Sequence, residues 1–107
     1  MNAMRHVLTF MALAALTLAA HAASTAVGQK GRVFSTEALT IKKGETVVFT
    51  NDDSVPHNVV SKAPGNEFDL GYQPPGASTP VTFDAAGNVS VICTIHPRMK
   101  LTIQVTD

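Results

Sequence analysis

Short apolar runs separated by turn-forming residues limit what this chain can fold into. Glycine, proline, asparagine and aspartate recur every few positions from residue 28 onward, and no segment after residue 22 keeps a helical period over three turns. Between these turn signals lie short segments rich in Val, Ile, Thr and Phe, a spacing typical of an all-β, antiparallel sandwich or barrel. The predicted strands span residues 38–41, 46–50, 57–61, 80–83, 89–93 and 101–105, with a further candidate at 32–34.

The last two predicted strands alternate most clearly. Apolar side chains occupy every second position of 89–93 and of 101–105, which places them on one face of each strand. A strand with one apolar face must bury it against a second layer, so we predict a single small core. Its predicted members are Leu39, Ile41, Val47, Phe49, Val59, Phe83, Val89, Val91, Leu101, Ile103 and Val105.

The first 22 residues have the marks of a secretory signal peptide. Arg5 supplies a basic start, residues 7–20 form a continuous apolar run, and Ala20-His21-Ala22 is a small-x-small cleavage site. We predict cleavage after Ala22, export to the periplasm and one mature domain over residues 23–107, with no stable membrane insertion after cleavage. An uncleaved membrane anchor is the alternative, although the run is shorter than the roughly 20 residues that span a bilayer.

Charge and cysteine content exclude several classes of partner and fold. Arg5 is the only formal charge in the leader, so seven Lys and Arg and eight Asp and Glu remain, a net charge near −1. This balance argues against binding to nucleic acid or to an anionic membrane surface. The chain has one cysteine, which has no partner for an internal disulfide. A thiol exported to an oxidising compartment needs protection, which coordination to a metal would give.

Cys, His and Met occur only four times after residue 22. Cys93, His96 and Met99 lie at positions i, i+3 and i+6 of one predicted loop, and His57 begins another strand directly after Pro56. Two imidazoles, a thiolate and a weak thioether are the ligand set of a blue-copper electron-transfer site. Zinc is the alternative metal for one Cys and two His, although a thioether adds little to zinc binding.

Three motifs together resemble those of a small cupredoxin, and the Cys-x-x-His-x-x-Met spacing is similar to that of amicyanin. The motifs are Pro56-His57-Asn58-Val59-Val60, Phe83-Asp84-x-x-Gly87 and Cys93-x-x-His96-Pro97-x-Met99. The resemblance implies a Greek-key β-sandwich with one type 1 copper per chain. It also implies that the Asn58 N–H points at the Cys93 sulfur, and that the Asn58 side chain ties the ligand loops together near Thr94.

The predicted function is transfer of single electrons by Cu(I)/Cu(II) cycling in a monomeric periplasmic protein. A c-type cytochrome or a periplasmic dehydrogenase would be a transient partner. We expect it to dock on the apolar end around His96, framed by Pro56, Ile95, Pro97 and the Pro74-Pro75 turn.

Two other functions were weighed against electron transfer. A periplasmic copper-binding or delivery protein is the alternative, but sites built for exchange are usually open and rich in Met or His, and one Met remains after residue 22. An enzyme is not predicted, because no Cys, His or Met is left for a second metal.

Overall fold

The computed structural model describes residues 23–107, which form nine strands in two sheets. The predicted signal peptide lies outside the described residues. This part of the chain contains no helix, and therefore none that is long and apolar enough to cross a membrane. The strands are β1 (Ser24–Lys30), β2 (Val33–Phe34), β3 (Ala38–Lys42), β4 (Thr46–Asn51), β5 (Val59–Ser61), β6 (Phe68–Asp69), β7 (Ser78–Thr82), β8 (Gly87–Cys93) and β9 (Lys100–Thr106).

The two sheets are mixed, which corrects the expectation of a wholly antiparallel sandwich. The first sheet has the order β2-β1-β4-β7 and the second the order β3-β9-β8-β5-β6. Strands β1 and β4 pair in parallel, as do β3 and β9. The chain leaves the first sheet after β2, runs through β3 in the second sheet and returns as β4. Such a crossover brings the returning strand back in the same direction, which parallel pairing requires.

One apolar cluster fills the space between the sheets. All the predicted core residues belong to it, with Leu39 only partly buried at its edge, and the structure adds Val27, Phe34, Cys93 and Met99. Phe49 is fully buried between two other rings, with centroid distances of 6.5 Å to Phe34 and 5.9 Å to Phe68. Since Phe49 lies on β4 and Phe68 on β6, this aromatic packing joins one sheet to the other.

Strands β1 and β6 were not predicted from the sequence. The only side chains of β1 that are fully buried are Val27 and Gln29, so the strand lacks the apolar alternation of β9. Gln29 is satisfied across the fold, because its Nε2 donates to Gln73 Oε1 at 2.7 Å and to the Thr50 carbonyl at 3.2 Å. Gln73 in turn pairs with His57 through two backbone hydrogen bonds, so His57 lies just ahead of β5 rather than in it.

Candidate metal centre

The pairing of β5 with β8 brings the separate candidate ligands together. In this antiparallel register Val59 lies opposite Cys93, and His57 comes two residues earlier. His57 therefore lies beside the loop of residues 94–99 that joins β8 to β9. His57 and Cys93 are buried, whereas His96 is half-buried, in agreement with the expectation that His57 is the more enclosed imidazole.

Three donor atoms converge on one point. His57 Nδ1 lies 3.0 Å from His96 Nδ1, and the Cys93 sulfur lies 3.9 Å from His57 Nδ1 and 3.7 Å from His96 Nδ1. All three atoms lie within 4.8 Å of one another. Two imidazole nitrogens and a thiol sulfur this close can share one ion, and the mixture of soft and borderline donors fits copper.

Backbone hydrogen bonds close the loop that carries His96. The Met99 N–H donates to the His96 carbonyl at 2.9 Å, and the Cys93 N–H donates to the Met99 carbonyl at 3.3 Å. Met99 itself is fully buried in the same apolar cluster as Cys93. The backbone of the loop thus holds the three predicted ligands of the Cys-x-x-His-x-x-Met motif in a compact turn.

Asn58 contacts the site through its backbone. Its N–H donates to the Cys93 sulfur at 3.4 Å, the contact that the family resemblance implies. The expected side-chain tie near Thr94 is not made: Asn58 Nδ2 donates to Asp69 Oδ1 at 3.2 Å, and Asn58 Oδ1 is buried without a hydrogen-bond partner. Strand alternation explains the difference, because Cys93 faces the core and the exposed Thr94 that follows it faces away.

A carboxylate missed by the sequence reasoning contacts the buried imidazole. Asp53 Oδ2 lies 3.0 Å from His57 Nε2 and accepts the Arg32 N–H at 2.9 Å. The Arg32 N–H is the main cause that lowers the pKa of Asp53 to about 2. The Asp52-Asp53 pair was interpreted only as a turn. Its one sequence signal was a carboxylate four residues before a candidate ligand.

The half-buried imidazole borders a surface groove of about 420 Å³. Its walls are residues 31–33 of the β1–β2 turn and residues 95–98 of the ligand loop. Val33 and Ile95 are half exposed there, at 54% and 49%. Ile95 and Pro97 thus frame this end as expected, whereas the β1–β2 turn, and neither Pro56 nor the Pro74-Pro75 turn, completes the groove. Partial removal from water lowers the pKa of His96, and the charge of a protonated His57 lowers it further.

Comparison with known proteins identifies the family. A sequence profile described as copper binding proteins, plastocyanin/azurin family, matches residues 21–106. The chain belongs to this family of cupredoxins. Amicyanin-alpha from Methylorubrum extorquens is 42% identical over 84 residues, which cover 76% of this chain and 71% of that protein.

Solved structures place this cupredoxin fold in two settings. The crystal structure of amicyanin from Paracoccus versutus matches with a TM-score of 0.67 and 31% identity, covering 79% of this chain and 83% of that one. A Cu-containing nitrite reductase from Thermus scotoductus matches with a TM-score of 0.73 and 28% identity, but this chain covers only 23% of it. The family and the three converging donors make this protein a cupredoxin of the electron-transfer class with a site for one copper ion.

Proposed function

We propose that this protein is an exported periplasmic carrier of single electrons, with copper held by His57, Cys93, His96 and Met99. The observation that carries the proposal is the convergence of three donor atoms within 4.8 Å, with His57 and Cys93 buried. Copper bound there supplies a one-electron couple. In residues 23–107 this is the single cluster of three or more His, Cys, Asp or Glu side chains with metal-ligand spacing, which supports a carrier over an enzyme with a second metal.

Each donor has a distinct part in holding the ion. The Cys93 thiolate is the soft, strongly covalent donor, the two imidazoles are borderline donors, and the Met99 thioether is a weak one. The Asn58 N–H withdraws electron density from the Cys93 sulfur, which favours the reduced state. Because β-sheet pairing and the closed loop fix these residues, little rearrangement accompanies the arrival or departure of an electron.

The groove beside His96 is the proposed docking surface for redox partners. His96 is the ligand that combines metal binding with partial exposure, so it offers the shortest route to a partner. Val33 and Ile95 supply apolar contact, and Arg32 and Arg98 border it with positive charge. This charge favours an acidic partner surface, and the small patch favours a transient contact below roughly 1,200 Å².

We expect Ile95→Glu to slow electron exchange with an acidic c-type cytochrome by about tenfold, the equivalent of about 1.4 kcal/mol of contact energy. The carboxylate would break the apolar contact and offset the charge of the arginines, while the metal ligands stay in place. Stopped-flow kinetics on the copper-loaded protein measure the rate. Ser90→Glu, which adds the same charge at an exposed position of β8 outside the groove, is the matched control. Equal rates for both variants and the wild type would move the docking surface elsewhere.

Substitution of Met99 tests whether its thioether is a ligand. We expect Met99→Leu to retain copper and raise the reduction potential, because loss of a weak donor favours Cu(I). We expect Met99→Gln to lower the potential, because a harder oxygen donor favours Cu(II). Leucine has nearly the volume of methionine, so the buried position stays filled. Voltammetry measures both variants, and potentials equal to that of the wild type would remove Met99 from the ligand set.

A further inference from the structure

The Asp53 side chain is fixed between the β1–β2 turn and the His57 ring. Its Oδ2 accepts the Arg32 N–H at 2.9 Å and lies 3.0 Å from His57 Nε2, while its Oδ1 accepts the Ser54 N–H at 3.0 Å. The Asp53 N–H donates to Asn51 Oδ1 at 3.0 Å. The side chain is 12% exposed and the His57 ring is fully buried, so this contact is largely shielded from water.

The geometry of the β1–β2 turn directs the Arg32 N–H at Asp53. Gly31 and Arg32 have φ angles of 64° and 60°, which is the conformation of a two-residue mirror-type hairpin turn. A residue other than glycine adopts this conformation uncommonly, and Arg32 is the one such residue in the described chain. The turn therefore presents a backbone donor that holds the carboxylate toward His57.

The contact decides which nitrogen of His57 carries the proton. A neutral imidazole has one N–H and one lone pair, and the hydrogen bond made by one nitrogen sets the state of the other. Asp53, with its pKa lowered to about 2, is ionised at neutral pH and accepts a proton from Nε2. The Nδ1 lone pair then faces the Cys93 sulfur and His96 Nδ1, at 3.9 and 3.0 Å.

We propose that Asp53 is a positioning residue for the metal centre: its carboxylate fixes the tautomer and orientation of the His57 ring, and its charge makes Nδ1 a stronger donor. Outer partners of metal-binding histidines act in this way in other metal sites. A stronger, anion-supported imidazole stabilises the oxidised ion more than the reduced one. The inference rests on the proposed role of His57 as a ligand.

Three variants separate the orienting and the electrostatic parts of this role. Asp53→Ala removes both, Asp53→Asn keeps an oxygen acceptor and removes the charge, and Asp52→Asn is the control. Asp52 is adjacent and exposed, and its carboxylate accepts from Thr50 Oγ1 without contacting His57. We expect Asp53→Ala to lower Cu(II) affinity by about ten- to a hundredfold. We expect Asp53→Asn to lower it less and to raise the reduction potential, and Asp52→Asn to match the wild type.

The ¹⁵N chemical shifts of His57 in the copper-free protein give a readout that does not depend on copper. We expect the Nε2–H tautomer in the wild type, in Asp52→Asn and in Asp53→Asn, and a mixture of tautomers in Asp53→Ala. Wild-type affinity and tautomer in Asp53→Ala would overturn the inference, as would equal shifts in potential for Asp52→Asn and Asp53→Asn. If the wild type itself bound no copper through Cys93, the proposed function would fail instead, and the ¹⁵N result would still report on the Asp53 contact.

Discussion

Replacing Cys93 by serine is expected to abolish the intense visible absorption of the copper-loaded protein and to weaken copper binding by more than about a hundredfold, the upper end for loss of a group that only supports a ligand. The serine hydroxyl is not ionised near neutral pH and is a hard donor, so it does not replace the soft thiolate. Visible spectroscopy and competition with a chelator of known affinity measure the two effects.

The Cys93→Ser result needs a control for packing, because Cys93 is fully buried in the core. Serine is close to cysteine in size, so the two-dimensional NMR spectrum of the copper-free variant should retain the dispersion of a folded sandwich. Met99→Leu is the matched control for a change within the ligand loop, and it should keep an intense band. An intense visible band in Cys93→Ser would show that the cysteine is not a copper ligand.

Truncation of Phe49 is expected to give the largest loss of stability, about 3–5 kcal/mol of unfolding free energy for Phe49→Ala. The ring is fully buried and packs against Phe34 and Phe68, so its removal leaves a cavity between the two sheets. Domains of this size have about 5–15 kcal/mol in total, so the variant should be close to its unfolding midpoint. Urea unfolding of the copper-free protein measures the change.

Tyr72→Ala is the matched aromatic control for Phe49→Ala. Tyr72 is 70% exposed, and we expect its truncation to change the unfolding free energy by less than about 0.5 kcal/mol. Copper should stabilise both variants, because an ion that binds only the folded state shifts the equilibrium toward it. Similar losses for Phe49→Ala and Tyr72→Ala would contradict a core centred on Phe49.

Local patterns in the sequence predicted the second sheet and the ligand set better than the first sheet. The alternation of β8 and β9 is visible because each strand buries one apolar face. Three predicted ligands lie within one seven-residue loop, and the fourth follows Pro56, so the site needed only one long-range contact. Strand β1 gave no such signal, because Gln29 is buried through a hydrogen bond to Gln73, 44 residues away.

Contacts between distant turns account for what the sequence did not reveal at the site. Asp53 meets Arg32 across 21 residues, and that contact depends on an uncommon backbone conformation at Arg32. The same turn supplies one wall of the groove beside His96. A run of polar residues such as Asn51-Asp52-Asp53 reads as an exposed turn in sequence, and only the fold distinguishes the half-enclosed Asp53 from the exposed Asp52.

A spectroelectrochemical titration of the copper-loaded wild-type protein tests its function as an electron carrier most directly. We expect one copper per chain, an intense thiolate-to-copper band in the oxidised state, and loss of that band on uptake of one electron per chain. The band should return fully on reoxidation over repeated cycles in the presence of a chelator, because the donors enclose the ion in both states. Absence of the band, or loss of copper to the chelator on reduction, would contradict an electron carrier, and the latter result would favour a copper-delivery protein.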